Sequence, residues 1–102
     1  MDWVNVNDKV KRFIVADGEK LMLVKFHFDP DGAVGSHSHP HEQISFVVSG
    51  FVRFTRDGKE IDVHAGEGVL MPSNIVHSAI AVEESTVVES FSPPREDFRP
   101  KS

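Results

Sequence analysis

The sequence predicts an all-β fold, a sandwich or barrel of short strands. Three observations carry this. Short apolar or alternating runs recur along the chain, turn-forming residues separate them at regular intervals, and no apolar period of 3.6 lasts for the length of a helix. In order, LMLVKFHF (21–28) is apolar and ends in alternation, as a strand does. DPDG (29–32) is turn chemistry: Pro30 fixes φ, Asp caps the turn, and Gly32 is expected to supply the positive φ. ISFVVSG (44–50) is a second strand ending at Gly50. VRFT and EIDVH flank Asp57-Gly58, a hairpin signature. GVLMP is a short strand stopped by Pro72. HSAIAV (77–82) and STVVESF (85–91) follow, joined by Glu83-Glu84.

The bulk properties narrow the function. A chain of 102 residues fits one domain, 1–102, and buries roughly 65% of its unfolded surface, enough for a core without disulfides. It has no cysteine, which excludes disulfides and thiolate metal sites and suits a cytoplasmic setting. MDWVNVNDKVKRF lacks the layout of a secretory signal, and no apolar run approaches a membrane span. The net charge of −5, with scattered Lys and Arg, argues against a nucleic-acid partner but allows a small anionic substrate held by a local Arg or a metal.

Alternation along the second strand bears on assembly. Gln43, Ser45, Val47 and Ser49 share one face, while Ile44, Phe46 and Val48 share the other. If Gln43 faces the barrel interior, the apolar row faces out and needs cover. A second segment of the chain or another subunit can supply it, and a homodimer is expected.

HSHPHEQ (37–43) concentrates three histidines, a glutamate and a glutamine. On an extended strand His37 and His39 share a face and can present both imidazoles to one ion. Gln43 lies at even spacing from both and reaches the same point through its amide oxygen. His77, at the start of a later strand, is the natural fourth donor. The alternative is a solvated loop rich in histidine. Glu42 points away by alternation, and His27 and His64 are assigned structural roles.

The stretches GSHSHPHEQISFVVSG (35–50) and GEGVLMPSNIVH (66–77) resemble the two motifs of the cupins, small jelly-roll-like β-barrels that bring three histidines and a carboxylate or amide to one metal. His37, His39, Gln43 and Gly50 match the first motif; Gly66, Pro72 and His77 match the second. The resemblance implies a divalent ion (Ni, Zn, Mn or Fe) on His37, His39, Gln43 and His77, with His41 outside the ligand set at the rim. Asp31, Asn74 and Ala81 depart from the usual Gly, Gly and Asn; Asn tolerates the left-handed region, so that change is mild. Gln43 replaces the usual glutamate. The bound ion then keeps its full charge, which favours polarising an anionic oxygen over oxygen chemistry.

VVESFSPPREDF (87–98) is the second informative stretch. Glu89 and Phe91 share parity with Val87, and Pro93-Pro94 ends the strand, so that Arg95 can fold back over the barrel mouth. These residues alone also suit an edge-strand terminus with an exposed salt bridge. FSPPREDF and HSHPHEQI closely resemble the pectin-degradation cupins of the KdgF type, which open the ring of 4,5-unsaturated uronates from pectin or alginate. In that family an Asp, a Phe and an Arg line the site. The resemblance assigns those roles to Glu89, Phe91 and Arg95, with an acid one methylene longer. It implies a metal-dependent isomerase of carbohydrate metabolism acting on a small sugar acid. Two other classes are open: a cupin dioxygenase, which would take up oxygen, and a non-catalytic module that binds a small acid or sugar without product.

Overall fold

Ten strands form two antiparallel sheets in a computed structural model, which describes residues 2–100. The strands are β1 (Val4–Asn7), β2 (Val10–Asp17), β3 (Met22–Phe28), β4 (Ala33–His37), β5 (Glu42–Ser49), β6 (Phe51–Arg56), β7 (Lys59–His64), β8 (Gly68–Met71), β9 (His77–Ala81) and β10 (Ser85–Ser92). One sheet has the order β1-β2-β3-β10-β5-β8, the other β4-β9-β6-β7. Among the described residues the only helical turn is a 3-10 turn, Glu96–Phe98. No helix there is long and apolar enough to cross a membrane.

Alternation builds the core. Met22, Val24, Phe26 and Phe28 of β3, Val47 of β5 and Val87 and Phe91 of β10 point inward from the larger sheet. Val52, Phe54, Val63 and Ala81 meet them from the smaller one. On β5 the parity is as expected: Gln43, Ser45 and Val47 are buried, while Ile44, Phe46 and Val48 are 53%, 41% and 50% exposed. Leu70 on β8 pairs with Ile44 and extends the exposed row.

Turn chemistry explains most connections. Asp57 and Gly58 both have positive φ (50° and 79°), as a two-residue hairpin turn requires. Gly50 ends β5 at φ 93°, and Asn74 takes the left-handed conformation at φ 64°. The DPDG turn differs from expectation, because Asp31 adopts the positive φ of 65° and Gly32 does not. Gly32 is needed for close approach instead: a Cβ there would sit 2.8 Å from the Lys9 carbonyl and 2.9 Å from that of Asp29.

Three segments went unassigned by the hydrophobic pattern. β1 is exposed along its whole length, and the register of β2 on β3 shifts between Ile14 and Ala16, so neither strand shows clean alternation. β4 is short and carries glycine and serine. The bond from Asn7 Nδ2 to the Ala33 carbonyl (2.8 Å) ties β1 to β4 across the two sheets. Arg99 grips Asp17 with two bonds (2.8 and 2.7 Å) and so fastens the C-terminal turn to the end of β2.

Candidate metal centre and cavity

The strand pairings bring the separate sequence motifs together. His37 and His77 are register partners on β4 and β9. On the facing sheet, Gln43 pairs with Phe91 and Ser45 with Glu89 along the β5–β10 ladder. His39 lies just past the end of β4, in a loop rather than on the extended strand expected from its spacing. Its carbonyl accepts the Asn74 N–H (2.8 Å), which holds the loop against the turn that precedes His77. The ring centroids lie 4.3 Å apart for His37 and His77, 4.9 Å for His39 and His77, and 5.5 Å for His37 and His39.

Backbone carbonyls orient all three rings. Nδ1 of His37 meets the Gly35 carbonyl at 2.8 Å, that of His39 the His41 carbonyl at 3.1 Å, and that of His77 the Ile75 carbonyl at 2.9 Å. Each Nδ1–H donates to its carbonyl, so each Nε2 carries a lone pair, the tautomer that metal-binding histidines use. Donor atoms of the three histidines fall within 4.8 Å of one another. Burial holds the His39 pKa down at about 4, helped by the nearby Arg95, His77 and His37 charges. Burial also lowers that of His77, against its bond to Ile75. Both are neutral at pH 7.

Two observations test whether these residues fit a cation. His77 Nε2 is buried without a hydrogen-bond partner, an arrangement that is costly unless an electron-pair acceptor fills it. Gln43 Oε1 faces His39 Nε2 at 3.1 Å, two lone pairs toward each other. The amide is locked in that sense because its NH2 donates to Ser45 Oγ and to Glu89 Oε2, both at 2.9 Å. Neighbouring ligands of an ion bound at about 2.1 Å also stand about 3 Å apart. The donor set fits a divalent transition metal through His37, His39, His77 and the Gln43 oxygen. Glu42 is exposed, as alternation requires, and His41 is half-buried beside His39 at 5.2 Å between centroids. His64 stacks on Phe51 at 4.2 Å. His27 lies outside the barrel, 3.5 Å from Asp29 and 3.3 Å from Glu84.

A cavity of about 460 Å³ opens beside the histidines, lined by His37, Gln43, His77, Glu89, Phe91 and Arg95. Burial pushes the Glu89 carboxyl up to about 7, outweighing the Ser45 hydroxyl, the Arg95 charge and the Gln43 amide, which all favour the ionised form. Ser45 Oγ donates to Glu89 Oε2 at 2.5 Å. Arg95 folds back after Pro93-Pro94, with its side chain 13% exposed and its guanidinium carbon 5.1 Å from the Phe91 centroid. It is also held by Asp97 through two bonds of 3.0 and 2.9 Å. Arg95 thus makes a salt bridge and also lines the cavity. Phe91 is 1% exposed, so Phe98 supplies more of the open aromatic wall.

Among the cavity and site residues that sequence reasoning did not identify are Ser45, Arg12 and Phe98. Ser45 was legible, since it shares parity with Gln43. Arg12 lies in the inward register of β2, a strand that was not recognised, and Phe98 lies beyond the last predicted strand.

A double-sheet β-barrel with three convergent histidines and an amide that could hold a metal ion has the architecture of a cupin. The Cupin domain family matches residues 24–89, and the chain belongs to the cupin family. Among solved structures it is similar to KdgF from Halomonas sp., at 34% identity and a TM-score of 0.92, covering 97% of this chain and 92% of that one. It is also similar to an RmlC-like cupin from Shewanella frigidimarina, at 31% identity and a TM-score of 0.91, covering 96% of this chain and 88% of that one. A third, an RmlC-like cupin from Desulfovibrio desulfuricans, has 26% identity and a TM-score of 0.79, with 90% and 91% covered. No curated protein sequence matches.

Proposed function

We propose that this cupin opens the ring of 4,5-unsaturated uronates. One observation carries the reading: Glu89, a carboxyl pushed by burial to near neutrality, is hydrogen-bonded to the amide whose oxygen faces His39. The likeness to a KdgF supports it.

Such a substrate is a cyclic hemiacetal whose ring oxygen is also an enol-ether oxygen. In the ionised form Glu89 accepts the proton of the anomeric hydroxyl. The C1–O bond to the ring oxygen breaks as the C1 carbonyl forms, and the electron pair leaves on the ring oxygen as an enolate. Glu89 then returns the proton to C4, giving the open-chain ketone. Atoms balance without a co-reactant, and one carboxyl near pH 7 serves as both base and acid. A bound divalent ion supplies Lewis-acid stabilisation of negative charge on an oxygen. Ser45 and Gln43 hold the Glu89 carboxylate in place through Oε2, which leaves Oε1 for the proton. Arg95 offers the substrate carboxylate the donors not engaged by Asp97. Phe91, with Phe98, packs against the apolar face of the sugar.

The reading includes a cytoplasmic enzyme working as a homodimer, supported by the lack of cysteine and by the exposed apolar row of β5. The test is incubation of metal-loaded protein with an unsaturated uronate. Its ultraviolet absorbance should fall faster than the spontaneous rate, and Glu89→Gln should abolish the acceleration while leaving metal bound. No acceleration with Ni, Zn, Mn or Fe would refute the reading.

A further inference from the structure

Arg12 occupies a position where an arginine is unexpected. On β2 it shares the inward face with the buried Val10, and its register partner on β3 is the core residue Phe26. It lines the same cavity as Glu89, His37 and His77. Its guanidinium carbon lies 3.9 Å from the Phe98 ring centroid, and that of Arg95 lies 4.1 Å from the same centroid. Two cations therefore share one aromatic ring, within the span of a small molecule.

The two arginines differ in what they hold. Arg95 spends Nε and Nη2 on Asp97. Among the described residues Arg12 has no carboxylate within salt-bridge distance, and its nitrogens donate to no protein acceptor. Asp97 acts on it only at longer range, and burial together with Arg95 lowers its pKa. A partly buried, unpaired guanidinium next to a second positive charge is unfavourable unless an anion joins it. Its five N–H donors suit a carboxylate held in a fork.

We infer that Arg12 is a carboxylate-binding residue of this cavity, forming with Arg95 and Phe98 a clamp that makes the site specific for acidic sugars. The inference deepens the ring-opening reading and names the group that selects an acid over a neutral sugar. It adds a residue from β2 to a site otherwise drawn from the histidine motifs and the C-terminus.

Three variants test it. Arg12→Met keeps an unbranched stem over Phe98 without the charge, Arg12→Lys keeps the charge without the fork, and Arg12→Ala removes both. The probes are D-galacturonate and neutral D-galactose in calorimetric titration of the metal-loaded protein, nickel or zinc affinity, and turnover of an unsaturated uronate. Loss of a charge-assisted bond predicts galacturonate binding weaker by tenfold or more in Arg12→Met, partly restored in Arg12→Lys, with metal affinity unchanged. KM for the unsaturated uronate should rise by a similar factor, while kcat at saturation changes less than about threefold. Galacturonate binding equal to wild type in Arg12→Met would overturn the inference and leave ring opening intact. Equal losses of metal and galacturonate affinity would make Arg12 a structural residue and overturn it too. If the wild type shows no turnover yet binds galacturonate through Arg12, the ring-opening reading fails and the clamp stands. If the wild type binds no carboxylate, both fail.

Discussion

Glu89→Gln in the metal-free protein isolates the energetic cost of a buried acid. The Glu89 carboxyl is raised from its ordinary 4.5 to about 7, chiefly by burial. Each factor of ten in proton affinity corresponds to about 1.4 kcal/mol, so the ionised form costs the folded state about 3 kcal/mol. The folded protein binds the proton more tightly than the unfolded chain does. The stabilising contribution is therefore fully present below about pH 4.5 and is lost as pH rises through about 7. The histidines act in the opposite sense. With the His39 pKa lowered to about 4 and that of His77 lowered as well, the folded state gains stability as pH rises from about 4 toward 6.5. The wild-type profile mixes both effects, but the difference between wild type and Glu89→Gln removes the histidine contribution. Urea unfolding of chelator-treated protein from pH 4.5 to 8, followed by circular dichroism, should show wild type losing about 3 kcal/mol relative to the variant across that range. A difference that stays flat within about 0.5 kcal/mol would refute the burial argument for Glu89.

Nickel or zinc at a hundredfold excess over Kd should stabilise the wild type by about 2.7 kcal/mol, raising Tm by roughly 10–20 °C in a domain of this size. His77→Ala should abolish most of that rise, and no shift with any transition metal would count against the site. Gly50 and Gly58 both have positive φ, but a Cβ on Gly50 would overlap the Glu84 carbonyl and the Ser85 hydroxyl, whereas one on Gly58 meets nothing within 4 Å. Gly58→Ala should cost about 1 kcal/mol and Gly50→Ala at least about 3 by chemical denaturation; equal costs would contradict the packing argument. The outward row Ile44, Phe46, Val48 and Leu70 carries no charge and is the same on every copy, as a two-fold interface requires. Such an interface needs about 600 Å² per copy, a tenth of the 5948 Å² surface. Sedimentation should show a dimer that Phe46→Glu converts to monomer, and a monomeric wild type would exclude it.

The parts of the fold legible in sequence were those where one face is buried and the other is not. β5 and the end of β3 alternate cleanly because each is paired on both sides and has one face on the packed interior and the other outside. β1 is an edge strand, and β2 pairs with it on one side and with β3 on the other. There exposure, a register shift and an inward arginine erase the pattern, so the strand that supplies Arg12 escaped notice. The candidate metal donors were legible because His37, His39, Gln43 and His77 fall in two compact motifs. His39 lying past the end of β4 did not matter, since the Asn74 and His41 backbone contacts recreate what strand geometry would have provided. Asp31 taking the positive φ assigned to Gly32 was not legible, because the crowding around Gly32 comes from Lys9, far away in the chain.

Gln43 shows how a residue read through charge alone acquires a second reason from its neighbours. In the sequence its neutrality was the point: an amide leaves the ion more electrophilic than a carboxylate would. In the fold its NH2 is equally necessary. Ser45 and Glu89 are opposed on adjacent strands, and the amide donates to both, which holds Gln43 Oε1 toward His39 and steadies the Glu89 carboxylate. A carboxylate in its place would have no proton to donate and would face Glu89 as a like charge at hydrogen-bond distance, driving the acid's pKa still higher. An amide can present its oxygen toward His39 while donating to an acid held near neutral pH, whereas a carboxylate can do only the first.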